Sequence, residues 1–127
     1  MAQALLVNID LDIGARILRN LDEAGMQISV ACWAHLDRYS DWRLIFASRR
    51  FDALGLPEAY GRLNDAMDAA GIPIQQQPIV MIYEMTDPFI RDIRRYFRKS
   101  KYVEGSRIDS QLFGDRWAND GYVYRVR

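Results

Sequence analysis

The hydrophobic pattern of this chain changes period several times, and one stretch is apolar on both faces of a strand. Across 79–85 every residue but Glu84 is apolar, with Pro78 before the run and Pro88 shortly after it. Such a strand has no polar side to turn to water, so cover on both faces and a central place in the sheet are predicted. Thr86-Asp87-Pro88 then supplies helix-start chemistry. Asp87 fits the N-cap, and Pro88 fits the first helical position, where its missing N–H matters least. Phe89, Ile90, Ile93, Tyr96 and Phe97 follow at helical spacing. Arg91, Arg94, Arg95, Arg98 and Lys99 fall on the opposite side, and Lys101 continues the charge. The spacing predicts a helix over 89–101 that packs by one face and presents a basic stripe by the other.

Upstream, residues 4–9 are apolar enough for a short strand or an arm packed on the body. From Asp10 or Asp12 to Ala24 a helix is predicted, with Ile13, Ile17, Leu18, Leu21 and Ala24 inward and Gly25 as its stop. Asp12 and Arg16 are spaced for an i,i+4 pair on it. Residues 28–36 alternate, with Ile28, Val30, Cys32, Ala34 and Leu36 on one face and Ser29, Ala31, Trp33 and His35 on the other. Residues 37–41 are turn chemistry and 42–49 alternate again, so the two runs predict a hairpin. Pro57 opens a helix to about Ala70, with Leu63, Ala66, Met67 and Ala70 inward and Gly71 as its stop.

A strand, a helix and then the 79–85 strand in succession predict a crossover between parallel neighbours. Arg107–Phe113 and 122–126 read as two last strands, joined by an irregular 114–121. The fold class is therefore α+β: one domain, with a mixed sheet of about five strands and about three helices in the order α-β-β-α-β-α-β-β.

Composition narrows the function classes. With half of its 127 residues hydrophobic, the chain can bury a core of its own, so a disordered linker is excluded. Seventeen basic and seventeen acidic side chains cancel, and the whole molecule has no electrostatic pull toward nucleic acid or membrane. The local balance differs: 89–107 holds seven basic residues against two acids. A single cysteine permits no internal disulfide, and the first residues lack a basic, then apolar, leader pattern, so a cytosolic setting is expected. No apolar run is long enough to span a bilayer.

Candidate chemistry is sparse. Cys32 and His35 are the only cysteine and the only histidine, and three residues apart on a strand they point to opposite faces, so a nucleophile–base pair fails. The same inventory excludes a Cys/His zinc site, and no phosphate-binding glycine loop follows any predicted strand. Asp10-Leu11-Asp12, after Leu5-Leu6-Val7-Asn8-Ile9, resembles the first motif of the haloacid-dehalogenase phosphatases, which would imply a magnesium-dependent phosphoryl-transfer site. Gly14 stands where that motif expects a hydroxyl residue, and neither its lysine motif nor a second acidic pair follows. The simpler account is that Asp10 or Asp12 caps the first helix. Glu84 and Asp87, at a strand exit, are the other carboxylates in a position to help hold a metal. Trp117, Tyr122 and Tyr124, interleaved with Arg116, Arg125 and Arg127, form a late aromatic segment expected to stay partly exposed.

Three functions follow from these features. The first is a non-catalytic interaction domain using the aromatic segment for a protein partner or a second copy, with no cofactor. The second is a nucleic-acid-binding accessory module using the basic stripe of Arg91, Arg94, Arg95, Arg98, Lys99 and Lys101. The third is a metal-dependent phosphoryl-transfer or nuclease-like enzyme built on Asp10, Asp12, Glu84 and Asp87.

Overall fold

Seven consecutive buried residues, Val30–Leu36, form β1, the strand at the centre of the sheet. In the computed structural model, which describes residues 6–127, the sheet has five strands in the order β3-β2-β1-β5-β4. β2 (Arg43–Ala47) and β5 (Arg116–Val126) flank β1, both antiparallel to it. β3 (Val80–Ile82) runs parallel to β2 at one edge, and β4 (Arg107–Phe113) pairs antiparallel with β5 at the other. The helices are α1 (Asn8–Glu23), α2 (Arg49–Leu54), α3 (Leu56–Ala69) and α4 (Pro88–Phe97). None among the described residues is long and apolar enough to cross a membrane.

Period-2 alternation on β1 splits the core in two. Ala31 and Trp33 join Ile13, Ile17 and Leu21 of α1, Phe51 of α2 and Leu63 and Met67 of α3. Val30, Cys32, Ala34 and Leu36 join Phe89, Ile90, Ile93 and Phe97 of α4. The sheet is thus covered by α1 to α3 on one side and by α4 on the other. The mixed α+β class and the parallel crossover from β2 to β3 agree with the sequence reading, with a fourth helix, α2, added where the second hairpin strand was expected to continue. Ser48 ends that strand early by accepting a hydrogen bond from Phe51 N–H at 3.0 Å, as the N-cap of α2.

Three expectations need correction. The 79–85 run is a three-residue edge strand, not the central one. It is apolar on both faces because both layers reach it: Val80 and Ile82 meet the α1–α3 core, Met81 and Tyr83 the α4 core. Its outward Ile82 N–H is covered by the Tyr60 hydroxyl at 2.9 Å, which blunts the edge. Conversely, 122–126 is the end of an inner strand that begins at Arg116, so the supposed irregular 114–121 is mostly β-structure. Lastly, α1 begins at Asn8, so Ile9 is helical; the rest of the 4–9 expectation lies partly outside the described residues.

Two β-bulges explain why β5 reads poorly. Its register against β1 slips between Ala31 and Cys32 and again between His35 and Leu36. Tyr124 is the extra residue at the first slip and Asn119 at the second, and each breaks the alternation that marks a strand. The hairpin turn at Gly114 and Asp115 then packs on the start of α4. Gly114 has φ +61°, and a Cβ there would lie 2.8 Å from Phe89 N, so only glycine fits.

Candidate functional site

α4 starts as its sequence says it should. Asp87 is the N-cap, accepting from Phe89 N–H at 2.9 Å, and Pro88 follows in the first turn. The helix ends at Phe97, so Arg98, Lys99 and Lys101 lie beyond it in the connection to β4. Phe89, Ile90, Ile93 and Phe97 are buried, as expected. Tyr96 is 57% exposed and only leans edge-on against Phe97 and Phe113.

The outer side of α4 forms one wall of a cleft of about 350 Å³. Arg91, Arg94, Arg95 and Arg98 line it together with Phe97, Ser100, Val126 and Arg127. β5 supplies the opposite wall, because its end runs beside the helix and Arg94 Nε donates to the main-chain oxygen of Arg127 at 2.6 Å. A second cleft of about 550 Å³ shares Ser100, Val126 and Arg127 with the first and continues past Lys101, Tyr102, Glu104 and Arg125. Leu18 of α1 and Tyr124 line it too, so this trough of two clefts runs from the α4 side around the C-terminal end of β5 to the α1 side.

Of the carboxylates near this trough, Asp87 is held outside it, Asp92 is shared with Arg95 of its lining, and Glu104 lines the second cleft, exposed. Asp87 also binds Arg116 Nη1 at 2.8 Å, under a guanidinium that stacks 4.7 Å from the centre of the Tyr83 ring. Burial opposes the charge on Arg116, but the Asp87 hydrogen bond and the nearby Tyr83 and Asp87 outweigh it and raise its pKa. Asp92 accepts from Gly114 N–H at 2.6 Å and from Arg95 at 2.9 Å. Arg125 is held by both oxygens of Asp22, at 2.8 and 2.9 Å. Among the described residues Arg91, Arg98, Lys99 and Lys101 have no acidic partner within 4 Å. The trough is therefore positive while the chain as a whole is neutral. Several of the compensating acids, including Asp12, Glu23, Glu58, Asp65 and Asp68, are exposed on α1 and α3, the helices on the far side of the sheet from α4.

The other candidate sets are not assembled in this way. Tyr124 is 8% exposed and belongs to the core under α1, and Tyr122 is half-buried beside it. Only Trp117 of that trio stays exposed, at 42%, where it pairs across strands with the 51% exposed Leu112. The aromatic patch is thus reduced to Trp117 with Leu112, because Tyr124 at its bulge is aimed into the core. Asp10 accepts from Val7 N–H at 3.0 Å as the third residue of α1, while Asp12 makes the expected exposed pair with Arg16 at 3.7 Å. Glu84 is exposed beside α2, and no three acidic, histidine or cysteine side chains among the described residues come together in a way that could hold a metal ion.

Cys32 and His35 point to opposite layers. Burial pushes the Cys32 thiol up to about 12. His35 Nε2 faces the Ser40 carbonyl at 3.3 Å and Nδ1 the Asn119 amide at 3.4 Å. Of the trough's residues, Arg127 and Tyr102 are placed beside the stripe by the fold. Arg127 reaches α4 only through the pairing of β5, and Tyr102 lies in a connection without periodicity.

No family model, curated protein or solved structure matches this chain.

Proposed function

We propose that this chain is a non-catalytic nucleic-acid-binding domain of the cytosol, and that it works through the α4 trough. One observation carries the reading: three arginines of α4, Arg98 just past its end and Arg127 just past β5 converge on a single cleft, and the nearby Asp87 and Asp92 are held by Arg116, Gly114 and Arg95, which leaves Arg91 and Arg98 without acidic partners among the described residues. Arginine suits this task, since its planar guanidinium pairs with phosphate oxygens in two-pronged fashion and sheds water more readily than lysine. The neutral whole and the positive trough together favour local docking of a polyanion over general adhesion.

Salt dependence tests it. Each phosphate neutralised on a single strand contributes about −0.7 to the slope of log K against log salt. Replacing Arg91, Arg95 and Arg98 together by glutamine is expected to reduce the slope's magnitude by about 2 and to weaken binding strongly at low salt. Absence of salt-sensitive binding by the unaltered chain would remove the reading.

A second reading, contact with a protein or a second copy, retains one supporting observation in the exposed Leu112–Trp117 pair on the part of the sheet that α1 to α3 leave open. β5 lies inside the sheet, paired on both sides, so it offers no free edge for strand addition. Sedimentation at micromolar concentration tests it: a species larger than a monomer, lost in Trp117→Glu, is expected if that surface pairs.

A further inference from the structure

We infer that the trough takes a single-stranded nucleic acid, with its backbone along the arginines and a base stacked on Tyr102; this rests on the nucleic-acid reading above and specifies the form of the ligand. The first ground is shape. Arg91, Arg94 and Arg95 of α4, with Arg98 just past its end, face a concave space walled by Ser100 and by Val126 and Arg127, so the helix does not stand clear of its surroundings. Insertion into a major groove about 12 Å wide requires a helix that projects freely. A flexible single strand can descend into a cleft of about 350 Å³ instead.

The second ground is continuity. Shared walls at Ser100, Val126 and Arg127 join the arginine cleft to the larger one, so a strand leaving Arg91 and Arg98 passes Arg127 and then Lys101 and Tyr102. Of the lining residues Arg91, Arg98 and Lys101, all exposed, lack acidic partners among the described residues and are available to successive phosphates.

The third ground is Tyr102 itself. Its side chain is 90% exposed, the most exposed large hydrophobic residue among those described. A ring that contributes so little to the core, placed within a cationic trough, has the form of a stacking platform. Sequence-tolerant single-strand binding generally combines these two elements, a positive groove and an aromatic face. The same trough offers no ordered set of amide or carboxylate groups for reading base edges, so little sequence preference is expected.

Three labelled probes at matched length and salt decide the matter: an oligothymidylate, a DNA duplex and poly-glutamate, with fluorescence anisotropy as the readout. The unaltered chain is expected to bind the oligothymidylate about tenfold or more tighter than the other two. Tyr102→Ala is expected to weaken that binding about fivefold or more while leaving the salt slope unchanged, and Tyr102→Phe to restore it. Because Tyr102 is so exposed, neither change threatens the fold. Equal binding of duplex, or of poly-glutamate, overturns the inference, as does an unaffected Tyr102→Ala. If oligothymidylate and duplex bind alike with a steep salt slope and both exceed poly-glutamate, only the single-strand assignment falls; if poly-glutamate binds as well as they do, the nucleic-acid reading falls with it. If no probe binds with salt dependence, both fall together.

Discussion

The indole N–H of Trp33, on the central strand, donates to the phenol oxygen of Tyr124 at 2.9 Å, across 91 residues of chain. That phenol in turn donates to the Leu11 carbonyl in α1 at 2.7 Å. Gly14, one turn along α1, makes room for the arrangement, since a Cβ there would overlap the Tyr124 hydroxyl and lie 2.8 Å from Cζ. Tyr124→Phe leaves a buried indole N–H and a carbonyl without this partner and is expected to destabilise by about 1–3 kcal/mol. Gly14→Ala forces an overpacked contact costing about 1–3 kcal/mol. Because the clash is largely with the hydroxyl, the double variant is expected to lose less than the sum of the two. Urea denaturation of the four chains measures the coupling; strict additivity would show that Gly14 and Tyr124 act separately.

Asp87 performs two tasks, capping α4 and neutralising Arg116. Asp87→Ala removes both, at about 1 kcal/mol for the cap and about 1.5–3 kcal/mol for the charged hydrogen bond. Asp87→Asn keeps an oxygen for Phe89 N–H and should recover the cap alone. Equal losses in the two variants would mean that the cap contributes nothing measurable.

Alkaline pH should unfold the protein in a defined window. Burial pushes Cys32 from 9.0 to about 12 and Tyr83 to about 12, the latter against the pull of Arg116. Burial also raises Tyr124, with the Trp33 hydrogen bond acting the other way. All three are neutral when protonated, so the native state retains protons that the unfolded chain releases first. Their contribution is complete below about pH 9 and is lost as pH rises from there toward 12. The urea midpoint is expected to fall across that range, and Cys32→Ala, which removes the earliest-titrating group, should delay the onset. A midpoint insensitive to pH between about 9 and 11 would contradict this account.

Much of the fold could be read because its signals are local. The start of α4 lies in three adjacent residues, the helical faces in spacings of three and four, and the β1 alternation in neighbours two apart, and each of these is present in the structure. The same spacing put the arginines of α4 on its outer side. Misreadings arose where a local pattern has more than one global cause. The 79–85 run is apolar on both faces because two helical layers reach it, and a strand at the sheet's edge satisfies that condition as well as one at its centre. Bulges at Asn119 and Tyr124 hid most of β5, since an extra residue flips the alternation on which strand recognition depends.

Periodicity, caps and turn residues set the helices, most of the strands and the outward basic stripe, because each depends on interactions a few positions long. Pairing order set the remainder. That β1 lies at the centre, that Tyr124 is buried against Gly14 and that Arg127 meets Arg94 across 33 residues are consequences of which strands adjoin. Adjacency is chosen by the summed burial of both layers against the entropy of closing the loops between them, and no short window of residues contains that balance.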